Sequence, residues 1–393
     1  MNNWRPQQYR IEAQRKGVPE NVINSAIAIG DKISSTGLNI PIIFNLEHLS
    51  YLSGVDYNQL YKLTKRVGER FYEKENYRIF TIKKKNSKSK RYICVPNHKL
   101  LRVQKYINKF ILQQIKTHHA SMAYNSGCQI VDVAKLHCNS RWLIKIDIKD
   151  FFEEISEVNV YSVFNECGYS NLLSFQLARL CTRIVPYQKE DVLNNIKSRW
   201  KSSKQYRNIN YNHDVTGSLP QGAPTSPMLA NLFFRALDEK IMTIANKYNL
   251  IYSRYSDDIA LSSRDDLFGR SKCHQVVKDV YKVLYSSGLS PQKGKTKILS
   301  PGSRKIILGL VVNGSSPKLT KEFKKNLLQH LHFCNLKSIG PVRHAKYKKF
   351  DSIIGFRNHL HGLISYALNV DPNFGKKVKQ QYDHIDWPPL PFV

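Results

Sequence analysis

Strict alternation marks the clearest segment of this chain. In "LIKIDIKDFF", Leu143, Lys145 and Asp147 fall on one face of a strand, and Ile144, Ile146 and Ile148 fall on the other. The isoleucines predict a core-facing surface, which leaves Asp147 at the strand's end on the opposite side. A second alternating pattern, "YRIFTIKKKNSKSKRYICVP", predicts a β-hairpin with a basic turn from Lys83 to Lys90. "IYSRYSDDIALSS" predicts two short strands about a tight acidic turn, and "KIILGLVVNG" reads as strand with Gly309 at a close backbone approach.

Elsewhere the apolar spacing is helical. Val276, Val277, Val280, Val283 and Leu284 share a helix face, and "LPQGAPTSPMLANLFFRALDEKI" is a Pro/Gly-rich turn running into an amphipathic helix. Residues 7–75 read as helical, with "LEHLSYLSGVDYNQLYKLTKR" forming two short helices about Gly54. A further helix is expected from Leu100 to Thr117, and the chain from Lys318 onward is helical and basic. The basic, aromatic stretch from Lys197 to Asp214 reads as an exposed loop.

One stretch, "GLSPQKGKTKILS" (Gly288 to Ser300), comes close to a P-loop but has five residues, Leu289 to Lys293, between its glycine and Gly-Lys-Thr. A P-loop follows a strand and opens a helix, so that the helix N-terminus meets the phosphates. Here the order is reversed, with helix before Gly288 and strand in "KTKILS". The stretch is therefore not read as a P-loop.

Charge narrows the class. Sixty-one Lys and Arg against 30 Asp and Glu leave +31 over 393 residues, an excess that suits a polyanion whose condensed counterions are released on binding. No apolar run approaches the ~18 residues of a spanning helix, and "MNNWRPQQYR" lacks the apolar segment of a signal peptide. Nucleic acid is thus the expected partner rather than a membrane. Seven scattered cysteines, with no CxxC, argue against a zinc site or a disulfide framework and fit a reducing cytosol.

Against that positive excess, carboxylates at strand ends need a reason. Asp257 and Asp258 are adjacent in a turn and repel each other unless a cation sits between them. With Asp147 they offer hard oxygen ligands suited to Mg²⁺, and two such ions would stabilise the attacking and leaving oxygens of an in-line phosphoryl displacement.

The motifs occur in the order found in reverse transcriptases, and the chain resembles that superfamily over roughly residues 70–390. Asp147 with Phe151 and Phe152 is similar to the first palm motif, "LPQGAPTSP" (Leu219 to Pro227) to the second, and "YSDD" (Tyr255 to Asp258) to the third. Lys295 falls where the fourth carries a lysine, "LGL" (Leu308 to Leu310) suits the primer-grip hairpin, and "IKKKNSKSKRYICVP" resembles the fingers hairpin. The resemblance implies an α+β right-hand polymerase fold. Residues 1–70 would be a helical N-terminal region and 71–140 fingers with an insert. Residues 141–315 would form the palm, with fingers segments at roughly 160–215, and 316–393 a helical thumb and tail.

It further implies that Asp147, Asp257 and Asp258 are catalytic and bind two Mg²⁺ (or substituting Mn²⁺), with the Ile148 carbonyl as an extra ligand. The dNTP would meet Lys84 and Arg91 from the fingers, the backbone N–H groups of Asp150 and Phe151, Gln221 and Gly222 beside the nascent base pair, and Lys295 near the departing pyrophosphate. Phe152 would exclude a 2′-hydroxyl. Tyr255, Leu308, Gly309, Lys324, Lys325 and Lys348 would touch nucleic acid.

Within the superfamily the chain is most similar to bacterial retron-type enzymes. Their insert signature Asn-Ala-x-x-His reads "VAKLH" here, with Val133 in the asparagine's place and Ala134 and His137 retained, and their Val-Thr-Gly reads "ILG" (Ile307 to Gly309). That resemblance implies a cytoplasmic bacterial enzyme with a structured noncoding RNA as template and primer, a branched RNA–DNA product and an effector protein acting in phage defence. Another defence-associated or group II intron-like reverse transcriptase, an RNA-dependent RNA polymerase and an inactive RNA-binding scaffold are the alternatives. The sequence carries no signal for an oligomeric state.

Overall fold

The centre of the molecule follows from the alternation in the first strand. The computed structural model describes residues 4–65, 76–83, 90–125, 127–184 and 216–389. Lys84 and the Lys197–Asp214 stretch lie outside them. Strand β3 (Trp142–Asp147) lies antiparallel to β5 (Asp258–Ser263), with Ile146 opposite Ile259 and Asp147 opposite Asp258. Strands β4 (Ile251–Tyr255) and β6 (Lys297–Leu299) complete a four-stranded antiparallel sheet in the order β4-β5-β3-β6.

Ile144, Ile146 and Ile148 enter the larger apolar cluster, together with Phe234, Leu237 and Ile241 of α10 (Ser226–Lys247) and Val276, Val280 and Leu284 of α11 (Arg270–Ser286). The opposite face is also covered. Leu143 joins Ala260 in a second cluster with Val133 and Ala134 of α6 (Ile130–Leu136) and the C-terminal helices α12 (Lys321–Asn335), α13 (Gly340–Tyr347), α14 (Ile353–Val370) and α15 (Pro372–Asp383). Only the Lys145–Asp147 end of that face keeps partial access to solvent. Val133 is 1% exposed in this cluster, an apolar site where an asparagine would need a hydrogen-bond partner.

The N-terminal helices α1 (Pro6–Arg15), α2 (Glu20–Ser35), α3 (Leu46–Ser53) and α4 (Tyr57–Lys65) pack by their apolar stripes. Gly54, at φ +64°, ends α3 in the left-handed cap conformation that glycine adopts without a Cβ penalty. The hairpin strands β1 (Tyr77–Lys83) and β2 (Lys90–Pro96) pair antiparallel, from Tyr77 opposite Pro96 to Lys83 opposite Lys90. The helix expected from Leu100 to Thr117 is shorter: α5 spans His98–Phe110, begun by the Asn97 side chain accepting from the Leu100 N–H, and a tighter turn follows at Leu112–Gln114.

Between these and the sheet lie α7 (Phe151–Glu154), α8 (Glu157–Glu166) and α9 (Asn171–Cys181). Ser156 and Asn159 cap α8 reciprocally, a device worth about 1 kcal/mol. Beyond β6, three two-residue strands, β7 (Ile306–Ile307), β8 (Leu310–Val311) and β9 (Lys318–Leu319), form a small separate sheet. Gly309 makes no close backbone approach there, for a Cβ on it would meet nothing within 4 Å. Its role is conformational: Leu308 and Gly309 both take positive φ, at 46° and 84°, in the two-residue link between Ile307 and Leu310.

Candidate active site

Strand register brings the predicted carboxylates together. Ile148 donates its N–H to the Asp257 carbonyl at 3.1 Å. Asp147 and Asp258 therefore face each other in the adjacent non-hydrogen-bonded pair, where side chains stand closest. Asp257 sits in the turn beside them. Burial, and then the nearby Asp258 and Asp147 carboxylates, push the Asp257 carboxyl above the usual range, with Lys295 opposing. Burial also raises Asp258, where Asp147 adds to the shift and Lys145 and Lys295 oppose it. Two carboxylates at a crowded, partly buried strand end are under-neutralised, and a cation relieves that cost.

The near-P-loop stretch is fastened at the same place. Gln292 donates its N–H to the Asp147 carbonyl at 2.7 Å, and Lys149 donates to the Ser290 carbonyl at 2.8 Å. This pairing carries the Lys293–Lys295 turn to the strand end, where Lys295 Nζ meets Asp147 Oδ1 at 3.0 Å and Oδ2 at 2.9 Å. Among the described residues no three carboxylate, imidazole or thiolate side chains converge on one point. Instead, the Lys295 ammonium occupies a cation's place on Asp147. The donor set is nonetheless of the hard-oxygen kind that Mg²⁺ takes, and the Ile148 carbonyl accepts no hydrogen bond from a described residue. The residues fit a divalent cation.

The second motif lies against the hairpin. Cys94 of β2 donates to the Gln221 carbonyl at 2.7 Å. Gly222, at φ +113°, would bring a Cβ within 3.0 Å of the Cys94 carbonyl oxygen. The close approach that demands glycine is thus made by the neighbouring strand. Arg91 is exposed on β2, opposite Ile82. Asp150 takes the left-handed conformation at φ 43° and opens α7. Phe151 is buried against Phe234, and Phe152, edge-on to Phe151 with ring centroids 5.4 Å apart, is half-buried.

Of the other residues expected to meet nucleic acid, Tyr255, opposite Asp258, and Leu308 both pack on the second cluster. Lys325 is exposed, and Lys348 lies with its Nζ 5.7 Å from the exposed Tyr347 ring. Lys324 is engaged within the C-terminal helices, where its Nζ meets Asp371 Oδ2 at 2.6 Å and holds that carboxyl below the usual range.

Three features were not anticipated from the sequence. Arg254 and Asp238 form a fully buried ion pair, with Nε to Oδ1 at 2.8 Å and Nη2 to Oδ2 at 2.7 Å. Burial opposes the guanidinium charge, but the Asp238 carboxylate outweighs it and the net shift is upward. Tyr124 donates from Oη to Ser256 Oγ at 2.9 Å. His137, with no exposure, lies between Ser262 Oγ at 2.8 Å and Ser253 Oγ at 2.7 Å, tying the end of α6 to both strands of the acidic hairpin. Asp238 could have been noticed as a charge at an apolar-pattern position, since it falls in line with Phe234, Ile241 and Ala245 on α10.

The acidic strand end and turn, the glycine turn against the hairpin and Lys295 beside Asp147 thus take up the motifs read from the sequence. The comparisons agree: residues 82–324 match the reverse transcriptase (RNA-dependent DNA polymerase) family. The chain belongs to that family and has its right-hand polymerase fold. It is an RNA-directed DNA polymerase, and it is similar to reverse transcriptases of bacterial retrons. It is 27% identical to the retron Ec86 reverse transcriptase of Escherichia coli over 343 residues, covering 86% of this chain and 93% of that one. The retron Ec83 reverse transcriptase of Escherichia coli is 26% identical over 78% of this chain and 87% of its own. The retron Se72 reverse transcriptase of Salmonella heidelberg (strain 579083-10) is 29% identical over 77% and 71%. Among the described residues no helix is long and apolar enough to cross a membrane.

Proposed function

We propose that this chain is the polymerase of a retron. It copies a cognate structured noncoding RNA into DNA from a guanosine 2′-hydroxyl, leaving a branched RNA–DNA molecule, and works in the bacterial cytosol with an effector protein in phage defence. The observation that carries the polymerase chemistry is the facing of Asp147 and Asp258 across β3 and β5, with Asp257 in the adjoining turn. The retron assignment is supported by similarity along 86% of this chain and 93% of a retron relative.

Asp147, Asp257, Asp258 and the Ile148 carbonyl would hold divalent ions, whose chemistry there would be to lower the charge barrier between attacking hydroxyl and α-phosphate and to stabilise the leaving oxygen. Lys295, which is paired with Asp147, would serve the departing pyrophosphate, where an ammonium can supply a proton. The N–H groups of Asp150 and Phe151, with Arg91 and Lys84, hold the triphosphate. Gln221 and Gly222 border the nascent base pair, and the Phe152 ring fills the space of a 2′-hydroxyl. Lys325 and Lys348 contact the nucleic acid backbone. Residues 1–70, 71–140, 141–315 and 316–393 serve as N-terminal region, fingers, palm and thumb.

Sequencing the nucleic acid that copurifies with the expressed chain and its flanking locus tests the retron reading. A discrete branched RNA–DNA species is expected, whereas heterogeneous linear RNA would overturn it.

A further inference from the structure

The acidic turn is held by a polar hub that no role above requires. Ser256, the residue between Tyr255 and Asp257, has φ +58°, a left-handed conformation that a residue bearing a Cβ keeps only when its surroundings enforce it. Its carbonyl accepts from Arg254 Nη1 at 3.0 Å, and its Oγ accepts from Tyr124 at 2.9 Å. The remaining Arg254 donors are all engaged: Nε and Nη2 on Asp238, Nη2 also on Ser121 Oγ at 2.9 Å, and Nη1 also on Asn231 Oδ1 at 3.1 Å. The guanidinium lies 4.3 Å from the Phe234 ring centroid, and Tyr252 Oη donates to Asp238 Oδ1 at 2.5 Å. Neither Arg254 nor Asp238 has any exposure.

Five donors in a planar fork thus meet five acceptors from α10, the Ser121 segment and the turn itself. A buried ion pair is a poor source of stability compared with packed apolar side chains. What the fork supplies is geometry: it fixes the Ser256 carbonyl relative to α10, and so fixes the direction in which Asp257 and Asp258 leave the turn. We infer that Arg254 is a positioning residue for the reaction, oriented by Asp238, and that Tyr124 is a second tether on the same turn. The inference rests on the assignment of Asp257 and Asp258 to metal-dependent nucleotide addition.

Three variants of the full chain test it, each compared with Asp257→Asn. Arg254→Lys keeps the charge and loses the fork. The double change Arg254→Met with Asp238→Leu removes both charges and leaves no unpaired ion to unfold the protein. Tyr124→Phe deletes one hydrogen bond at a partly exposed ring. For the two Arg254 variants, kcat on a supplied primer–template should fall about 100-fold, with KM for dNTP and RNA affinity within two-fold of the parent. Mn²⁺ binding to the substrate-free protein, read by electron paramagnetic resonance, should weaken about ten-fold. Tyr124→Phe should lower kcat about five-fold at unchanged KM and unchanged melting temperature, which keeps the question answerable if the core variants misfold. A folded Arg254 variant with kcat and Mn²⁺ affinity within three-fold of the parent, or Tyr124→Phe with unchanged kcat, overturns the inference. An active Asp257→Asn enzyme would instead remove the metal assignment beneath it.

Discussion

Arg254 and Arg304 are each paired with a carboxylate, but in opposite surroundings. Arg254 and Asp238 have no solvent exposure and share their hydrogen bonds with four other groups. Arg304 meets Glu322, at the start of the C-terminal helices, with 43% and 67% of the two side chains exposed. Lys324–Asp371 and Lys379–Asp383 are likewise partly or well exposed. In the interior a mispaired charge is costly, so the hub admits one geometry. On the surface water competes for every partner and the pairs exchange at little cost. The acidic turn is therefore built to stay in place, whereas the C-terminal helices carry cations that can rearrange around a polyanion.

The contrast predicts effects of very different size. Converting Asp257 and Asp258 together to asparagine should take Mg²⁺-dependent DNA synthesis to background in a primer-extension assay, while RNA binding by filter retention stays unchanged. Synthesis above a hundredth of the parent rate would show that these carboxylates do not hold the ions. Next in size is Lys295→Ala. The lost ammonium should slow single-nucleotide addition by roughly 10²-fold, the lower range for a general acid, again without loss of RNA affinity. A rate within two-fold of the parent would confine Lys295 to its ion pair with Asp147.

A smaller effect tests the rigid side through pH. Burial holds His137 down to about 4, so below the ordinary value near 6.5 the unfolded chain binds a proton that the native state refuses. Stability is then full above about pH 6.5 and is lost as pH falls toward 4, by on the order of 3 kcal/mol in all. His330, also held near 4 by burial and by His344, Lys348 and His359, adds a loss of the same sign. Urea midpoints at pH 7.5 and 5 should therefore differ less for His137→Gln than for the parent. An equal difference would mean that His137 is protonated in the native state.

Least in size are the adaptable cations. Lys325→Ala or Lys348→Ala should each lower the slope of log affinity against log salt by about one, with a modest uniform loss of RNA affinity. An unchanged slope would return that lysine to bulk solvent.

Much of this was legible in advance because it depends on local period. Alternation places the isoleucines of β3 inward and Asp147 at its end, and the helix-then-strand order around Gly288 excludes a P-loop. Departures arose where a residue's surroundings come from distant chain. Gly222 is required by strand β2 rather than by a ligand alone, and Gly309 by a left-handed turn rather than by a near neighbour. Lys324, one of several basic residues in its stretch of sequence, is engaged by Asp371, 47 residues away.

The main strands and helices, the acidic residues and the excess of positive charge are legible along the chain, because propensity, periodicity and composition are properties of neighbouring residues. Which charges are neutralised, and how the carboxylates are aimed, depends on segments that meet only in the folded molecule. Arg254 is a charge in the buried middle of a short strand and Asp238 one on an apolar helix face, and each reads alone as an unfavourable exception. Folding places them in one desolvated site, where each supplies the counter-charge the other needs and together they set the direction of the acidic turn.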